Sequence, residues 1–413
     1  MLAPFRIRNY RFQWPSDLLT SAAFEMETII LGWYVLVQTG SVLLLTLFAS
    51  LNYTGTLIAP LFGVIGDRIG HRDLLAAMRA SYAALAGTLM TLALTGYLDA
   101  TYVLVIAAFM GLVRPSDLGV RGALVATIVP HDQLISSIAV SRTTQDLARI
   151  AGALSGAGLF AGSGLGPSYV VIVSLYVIAT LLTLCVVVRS KPHPVDDVAI
   201  AVLRRSPLHD LREGVSHVWA SPGMQAGMWI AFLTNLTAYP FTNGLLPYIA
   251  REVYGGNQAV LGYLSAAFAV GSLTGSVILS LVASKGVGRL MLYTTAAWYC
   301  MLLIFSQMQS VPAAMACLTL GGIVQSMSMI AIAVILMQTA SERFRGRVMG
   351  VRMLTIYGLP IGLLVAGSLI DALGFVATTF IYVAVGFSML MAVALHWRAS
   401  AQRAQEQAPA GAG

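Results

Sequence analysis

Eight ionisable side chains fall inside long apolar runs: Glu25, Glu27, Asp117 and Asp146 against Arg114, Arg121, Arg142 and Arg149. All lie in the first half of the chain. A charge at the centre of a membrane-spanning helix costs about 3 kcal/mol, so each is a functional candidate by default. The chemistry available is proton transfer: a carboxyl takes and releases a proton, and a guanidinium beside it sets the affinity. Ser21, Glu25, Thr28 and Gly32 recur at helical spacing and make one polar stripe, suited to a water-filled cavity. Glu25 lies about 12 Å into its run at about 1.5 Å per residue, near mid-depth. That makes it the candidate proton carrier. Glu27 points about 200° away around the helix and is expected to pair with an arginine from another span. Arg114, Asp117 and Arg121 share one helix face, and Arg142, Asp146 and Arg149 share another. These two faces are expected to zip together as a buried ion network. For every one of these charges a purely structural role, tying helices together, stands beside the coupling role.

The elements that must hold these charges are legible in the composition. Of 413 residues, 58% are hydrophobic and 10% charged. An average soluble protein is about 25% charged, so a soluble enzyme, a disordered chain and a disulfide scaffold are excluded. The three cysteines (Cys185, Cys300, Cys317) all sit in apolar runs and form no redox pair. Hydropathy marks twelve spans near 17–38, 42–65, 73–96, 101–127, 134–162, 168–189, 224–250, 258–283, 289–309, 311–338, 345–370 and 374–397. The expected organisation is a six-helix unit at 1–189, a linker at 190–223, a second six-helix unit at 224–398 and a disordered tail at 399–413. Leu208, Leu211, Val215 and Val218 give the linker an amphipathic helix suited to a membrane surface. The net charge of +7 is one-sided. Nineteen of the 24 basic residues, Arg79 and Arg352 among them, fall on the side of the N-terminus, which places both termini in the cytoplasm. The halves repeat weakly: 128–158 aligns with 338–368, setting Asp132 on Glu342, Arg142 on Arg352 and Gly152 on Gly362. Such duplication is a common transporter plan.

The break after the second span reads Gly63-Val64-Ile65-Gly66-Asp67-Arg68-Ile69-Gly70-His71-Arg72. This resembles the loop signature of the major facilitator superfamily, and the resemblance extends over about residues 12–397. Ala283-Ser284-Lys285-Gly286-Val287-Gly288-Arg289 is a degenerate copy in the second half. The resemblance implies an all-α membrane protein with twelve transmembrane helices in two six-helix bundles that alternate in access. It also implies a conformational latch at Gly63, Asp67, Arg68, Gly70 and Arg72, with Asp67 at the N-terminus of a facing helix, the eleventh span. Leu31-Gly32-Trp33 through Ser41, and Arg345-Gly346-Arg347 through Arg352, are similar to the bacterial exporter branch that contains siderophore and macrolide efflux proteins. Arg114 stands where proton-driven exporters of this kind carry an arginine, although Pro115 beside it departs from their pattern and is expected to kink the helix.

In the second half, Asn235, Tyr239, Asn243, Gln325 and Tyr357 are candidate substrate contacts: polar, uncharged or aromatic groups in apolar spans. Gly152, Gly156, Gly158, Gly162 and Gly164 make the fifth span glycine-rich, which suits close packing. All six histidines lie in breaks or near span ends, so no metal site or other cofactor is expected, and no catalytic or phosphate-binding motif is present. The expected function is proton-coupled export of a small amphipathic molecule across a bacterial inner membrane by a monomer. Its partners are the substrate, protons and the lipid bilayer, with no nucleic acid. Import or facilitated diffusion of a metabolite or organic anion is the alternative. A lipid flippase or a non-transporting membrane partner is the other class.

Overall fold

The computed structural model describes residues 3–130, 133–188, 207–219, 221–281, 286–341 and 344–406. Residue 189, the stretch 190–206 of the expected linker, loop residues 282–285, the Asp132–Glu342 pair and the tail beyond 406 lie outside them.

The chain is all-helical. The first half runs α1 (Arg8–Thr39), α2 (Val42–Leu51), α3 (Ala59–Ile69), α4 (His71–Thr95), α5 (Ala100–Ile128), α6 (Leu134–Ser163) and α7 (Leu165–Leu184). The connecting helix α8 is Pro207–Trp219. The second half runs α9 (Pro222–Thr237), α10 (Tyr239–Asn243), α11 (Leu246–Tyr248), α12 (Gln258–Leu281), α13 (Val287–Ser306), α14 (Val311–Thr339), α15 (Arg345–Leu354), α16 (Gly358–Leu373) and α17 (Phe375–Glu406).

Seven of these rods are long and apolar enough to span a membrane alone, and the pair α2–α3, bent by 58°, makes an eighth. The other four traverses fall short for physical reasons. Charges interrupt α1, α4 and α6, and the seventh traverse breaks after Thr237, where Pro240 cannot donate to the helix ladder. Together they make twelve traverses, with α1 beginning and α17 ending on one face, the termini face. Pro115 sits inside α5 without ending it.

Some boundaries differ from the sequence expectation. Helix α1 starts at Arg8, well before residue 17. Helix α17 continues through Glu406, into the stretch expected to be disordered, because Ala, Gln, Arg and Glu are good helix formers. Asp99 caps α5 by accepting from the Thr101 amide at 3.0 Å, and hydrogen bonding to the Thr101 hydroxyl, then to this amide, holds its carboxyl below the usual range.

Two buried clusters form the cores, one largely in each half. The halves meet through α6 against α12, α2 against α16 and α1 against α11. These contacts concentrate on the far face. Gly367 packs on Leu43 and Thr46, Gly244 on Ala49 and Leu363, and Gly262 on Ala153 and Ala157. Arg251 donates across to the Leu36 carbonyl at 3.0 Å. Midway, the Leu57 amide donates to the Tyr357 hydroxyl at 2.6 Å. Toward the termini face, Leu61, Val64, Ile65 and Ile69 on α3 and Met353 on α15 are exposed. The halves thus close on the far face and part on the termini face. Helix α8 does not rest on lipid alone. Val218 is fully buried, Glu213 pairs with Arg347 of α15 at 2.6 Å, and His217 stacks on Phe344 at 4.3 Å.

Candidate functional site: ion pairs split around the first helix

Helix α1 stands between α5 and α6, and its carboxylates serve different sides. Glu27 is buried in the first-half core. It accepts from Arg114 Nη2 at 2.6 Å, from the Tyr176 hydroxyl at 3.2 Å and from the Tyr169 hydroxyl at 3.4 Å. Arg114 also donates to Asn52 Oδ1 at 2.7 Å and lies 3.4 Å over the Phe24 ring. Both terminal nitrogens of this guanidinium thus find an oxygen, which offsets part of the cost of burying the charge.

Nearer the termini face lies a second cluster. Arg79 Nη2 pairs with Asp17 at 2.5 Å, and Arg79 Nη1 reaches the Ser16 and Thr183 hydroxyls. Arg121 joins Asp17 at 3.3 Å to Asp117 at 2.7 Å, and Gln13 donates to Asp17 at 2.7 Å. Arg79 is fully buried, although its place near a loop suggested a cytoplasmic charge. Asp17 and Arg79 are the members that sequence reasoning missed. The available signal was Gln13, Ser16, Asp17 and Thr20 on one face of α1, opposite an arginine a turn or two inside α4.

The third pair faces the seam. Glu25 Oε1 accepts from Arg149 Nε at 3.3 Å, with the side chains 22% and 42% exposed. Together with Thr28 and Gly32 they line a central cavity. Ile29, Phe48 and Phe268 form its apolar walls, and Asn243, Thr242 and Ser265 add polar groups from the second half. Half-exposed at a seam, this pair is far easier to open than the two buried ones.

The expected zipper between α5 and α6 does not form. The α5 charges turn to α1 or pair within α5, Arg149 turns to α1, and among the described residues Arg142 pairs with Asp146 of its own helix, at 4.0 Å. The body of α1 lies between the two faces. Arg114 accordingly partners Glu27, and Arg149 is the guanidinium beside Glu25.

The second-half candidates also divide. Asn243 lines the cavity. Gln325 Nε2 donates to the Tyr239 hydroxyl at 2.5 Å, and Tyr239 packs edge-on against Trp298 at 5.0 Å. Asn235 donates to Ala231 of its own helix at 2.8 Å and packs where Gly358 approaches α9. Tyr357 bridges the halves rather than lining the cavity wall. Arg352, grouped with the loop charges, instead reaches inward and donates to the Met329 carbonyl at 3.4 Å.

In the loop motif, Gly70 turns the chain at φ +94°, a conformation that glycine adopts without strain. Arg72 ties the turn to Asp73 at 2.6 Å and to the Val186 carbonyl at 3.3 Å. A Cβ added at Gly63 would meet open space. Asp67 is 71% exposed, with His71 as its partner at 3.5 Å, and it does not cap α15, since the halves are apart on this face.

With the fold and the buried charges in place, comparison with known proteins is informative. A family model described as transmembrane secretion effector, within the major facilitator superfamily, matches residues 1–411. The chain belongs to this family. It is therefore a multi-pass membrane transporter of a small molecule and not an enzyme. No curated protein matches it in sequence. Among solved structures it is similar to a POT family transporter in complex with 5-aminolevulinic acid, at 12% identity and TM-score 0.71, covering 94% of this chain and 96% of that one. A bacterial homologue of the human lysosomal transporter Spinster, inward-facing and unoccupied, matches at 13% identity and TM-score 0.70, covering 98% and 99%. The nucleoside transporter NupG matches at 14% identity and TM-score 0.66, covering 95% and 99%. At these identities the likeness establishes the fold of this facilitator.

Proposed function

We propose that this facilitator exports a small amphipathic molecule, drug- or siderophore-like, in exchange for protons by alternating access. It acts as a monomer in a bacterial inner membrane with both termini in the cytoplasm. The observation that carries the reading is the Glu25–Arg149 pair, the half-exposed acid and base on the cavity at the seam. A proton on Glu25 releases Arg149, and substrate and proton compete for the same cavity. Glu27, Asp117 and Asp146 are secondary proton sites, with Arg114 and Arg121 holding the first bundle in shape around them. The loop from Gly63 to Arg72 closes against α15 when the termini-side ends meet. The family description, a secretion effector, supports the outward direction.

The test uses purified protein in liposomes loaded with a pH-sensitive dye. An acid-outside gradient is imposed, and a panel of siderophores, macrolides and dyes is added. Substrate-dependent proton flux is expected in wild type and lost in Glu25→Gln. Substrate movement without proton flux, unchanged by Glu25→Gln, overturns the exchange mechanism.

A further inference from the structure

The charges around the seam do not balance. Arg142, Arg149 and Arg352 face Glu25 and Asp146, one guanidinium more than the carboxylates among the described residues. Arg352 is the unmatched one: among the described residues no carboxylate pairs with it, and it donates to the Met329 carbonyl at 3.4 Å. It comes from α15, while Arg142 comes from α6 of the opposite half, at the repeat-related position. Each acts electrostatically on the Tyr239 hydroxyl, as does Arg149, and Arg352 meets Arg142 as a like charge. Two like charges brought toward one point across a cleft repel unless an anion lies between them.

Independent observations place unmet polar groups at the same point. Met329, which holds Arg352, lies one helical turn along α14 from Gln325. Gln325 is 7% exposed and binds Tyr239 through its nitrogen, yet its Oε1 has no partner. Trp298, against the Tyr239 ring, is 1% exposed, and its indole N–H has no acceptor. Buried polar atoms are rarely left unpaired, and such exceptions mark sites that another molecule completes. The Gln325 amide can present either its oxygen or its nitrogen to such a molecule. The groups on offer are two cations from opposite halves, an indole N–H, an amide and an aromatic wall.

We infer that this cleft is the headgroup subsite for an amphipathic organic anion, held by Arg142 and Arg352 from the two halves, with its apolar body against Tyr239 and Trp298. The inference rests on the transporter reading above and names its substrate class. Because each half supplies one arginine, the bound anion also draws the termini-side ends together. Arg142 is 65% side-chain exposed and free to swing onto the ligand.

The test measures equilibrium binding to the full chain in detergent micelles by titration calorimetry. The probes are 2-naphthoate, its neutral isostere 2-naphthamide and the cationic 2-naphthylmethylammonium. Naphthoate is expected to bind at least about ten-fold tighter than the other two, with affinity falling as salt rises. Arg352→Gln and Arg142→Gln are each expected to cost naphthoate about ten-fold while leaving the amide unchanged. Arg352→Lys keeps the charge and retains most of the preference. Its behaviour, with an unchanged Tm, separates loss of the subsite from misfolding. Equal binding of acid and amide, preference surviving both Gln substitutions, or no binding of naphthoate overturns the inference. Naphthoate binding with no proton flux in liposomes leaves the subsite standing and removes the exchange mechanism instead.

Discussion

Two carboxylates two residues apart on α1 differ several-fold in what they contribute to stability. Glu27 is buried with Arg114, and removing its charge leaves a guanidinium without a counter-ion inside the bundle. Glu27→Gln is expected to destabilise the protein by about 3–5 kcal/mol, read as a lower unfolding midpoint in detergent. Glu25 faces the cavity, where water solvates what remains of the pair, so Glu25→Gln is expected to cost about 1 kcal/mol or less. A large stability loss in Glu25→Gln alongside a small one in Glu27→Gln would contradict this assignment. The helical angle between the two residues was readable from their spacing. Which arginine each would meet was not, because partners on α4, α5 and α6 are brought in by packing alone. Arg79 shows the limit most clearly: near a loop in sequence, it is fully enclosed once α4 packs on α5 and α7 and its guanidinium meets Asp17 of α1.

At the scale of elements, the glycines of α6 divide by what they touch. A Cβ at Gly152 would meet Glu25 Cβ and the Ala22 carbonyl at 2.8 Å, and one at Gly156 would meet Met26 Cα at 2.8 Å. Gly158 and Gly162 have open space, and Gly164 ends the helix at φ +81°. Close approach of α1 to α6 is therefore what places Glu25 within reach of Arg149. Gly156→Leu is expected to push the helices apart and destabilise by about 1–3 kcal/mol, while Gly158→Leu stays within about 0.5 kcal/mol. Comparing the unfolding midpoints of the two variants checks this, and equal losses would show that the whole glycine-rich stretch acts as one unit. The glycine-rich composition was visible in the sequence. The division between packed and open positions depends on which face α1 covers.

At the scale of the whole molecule, the two halves meet on the far face and separate on the termini face. Thr46 on α2 touches Gly367 on α16 at the closed end. With the native cysteines replaced by serine, a Thr46→Cys, Gly367→Cys pair is expected to form a disulfide that holds this state and abolishes transport, with reductant restoring it. In the same locked protein, Ile65→Cys on α3 is expected to react with an impermeant maleimide from the termini side. Full transport in the oxidised double variant would show that the far-face contact does not open during the cycle.

The sequence by itself determined the class of molecule. Long apolar runs with few charges require helices that satisfy their own backbone hydrogen bonds in lipid. Span count, division into halves and the loop signature all follow local pattern, and the helices and family agree with them. It also put four carboxylates and four arginines inside the apolar runs, though not Asp17 or Arg79, and showed which face of α1 carries the polar stripe. Only the tertiary structure decided the pairing: Glu27 with Arg114, Glu25 with Arg149, Asp17 with Arg79 and Arg121. It also turned Arg352 from a loop charge into a cleft residue. Charge pairing between helices depends on which rods are neighbours and how far each is rotated. Those are properties of the packed bundle, which no single span encodes.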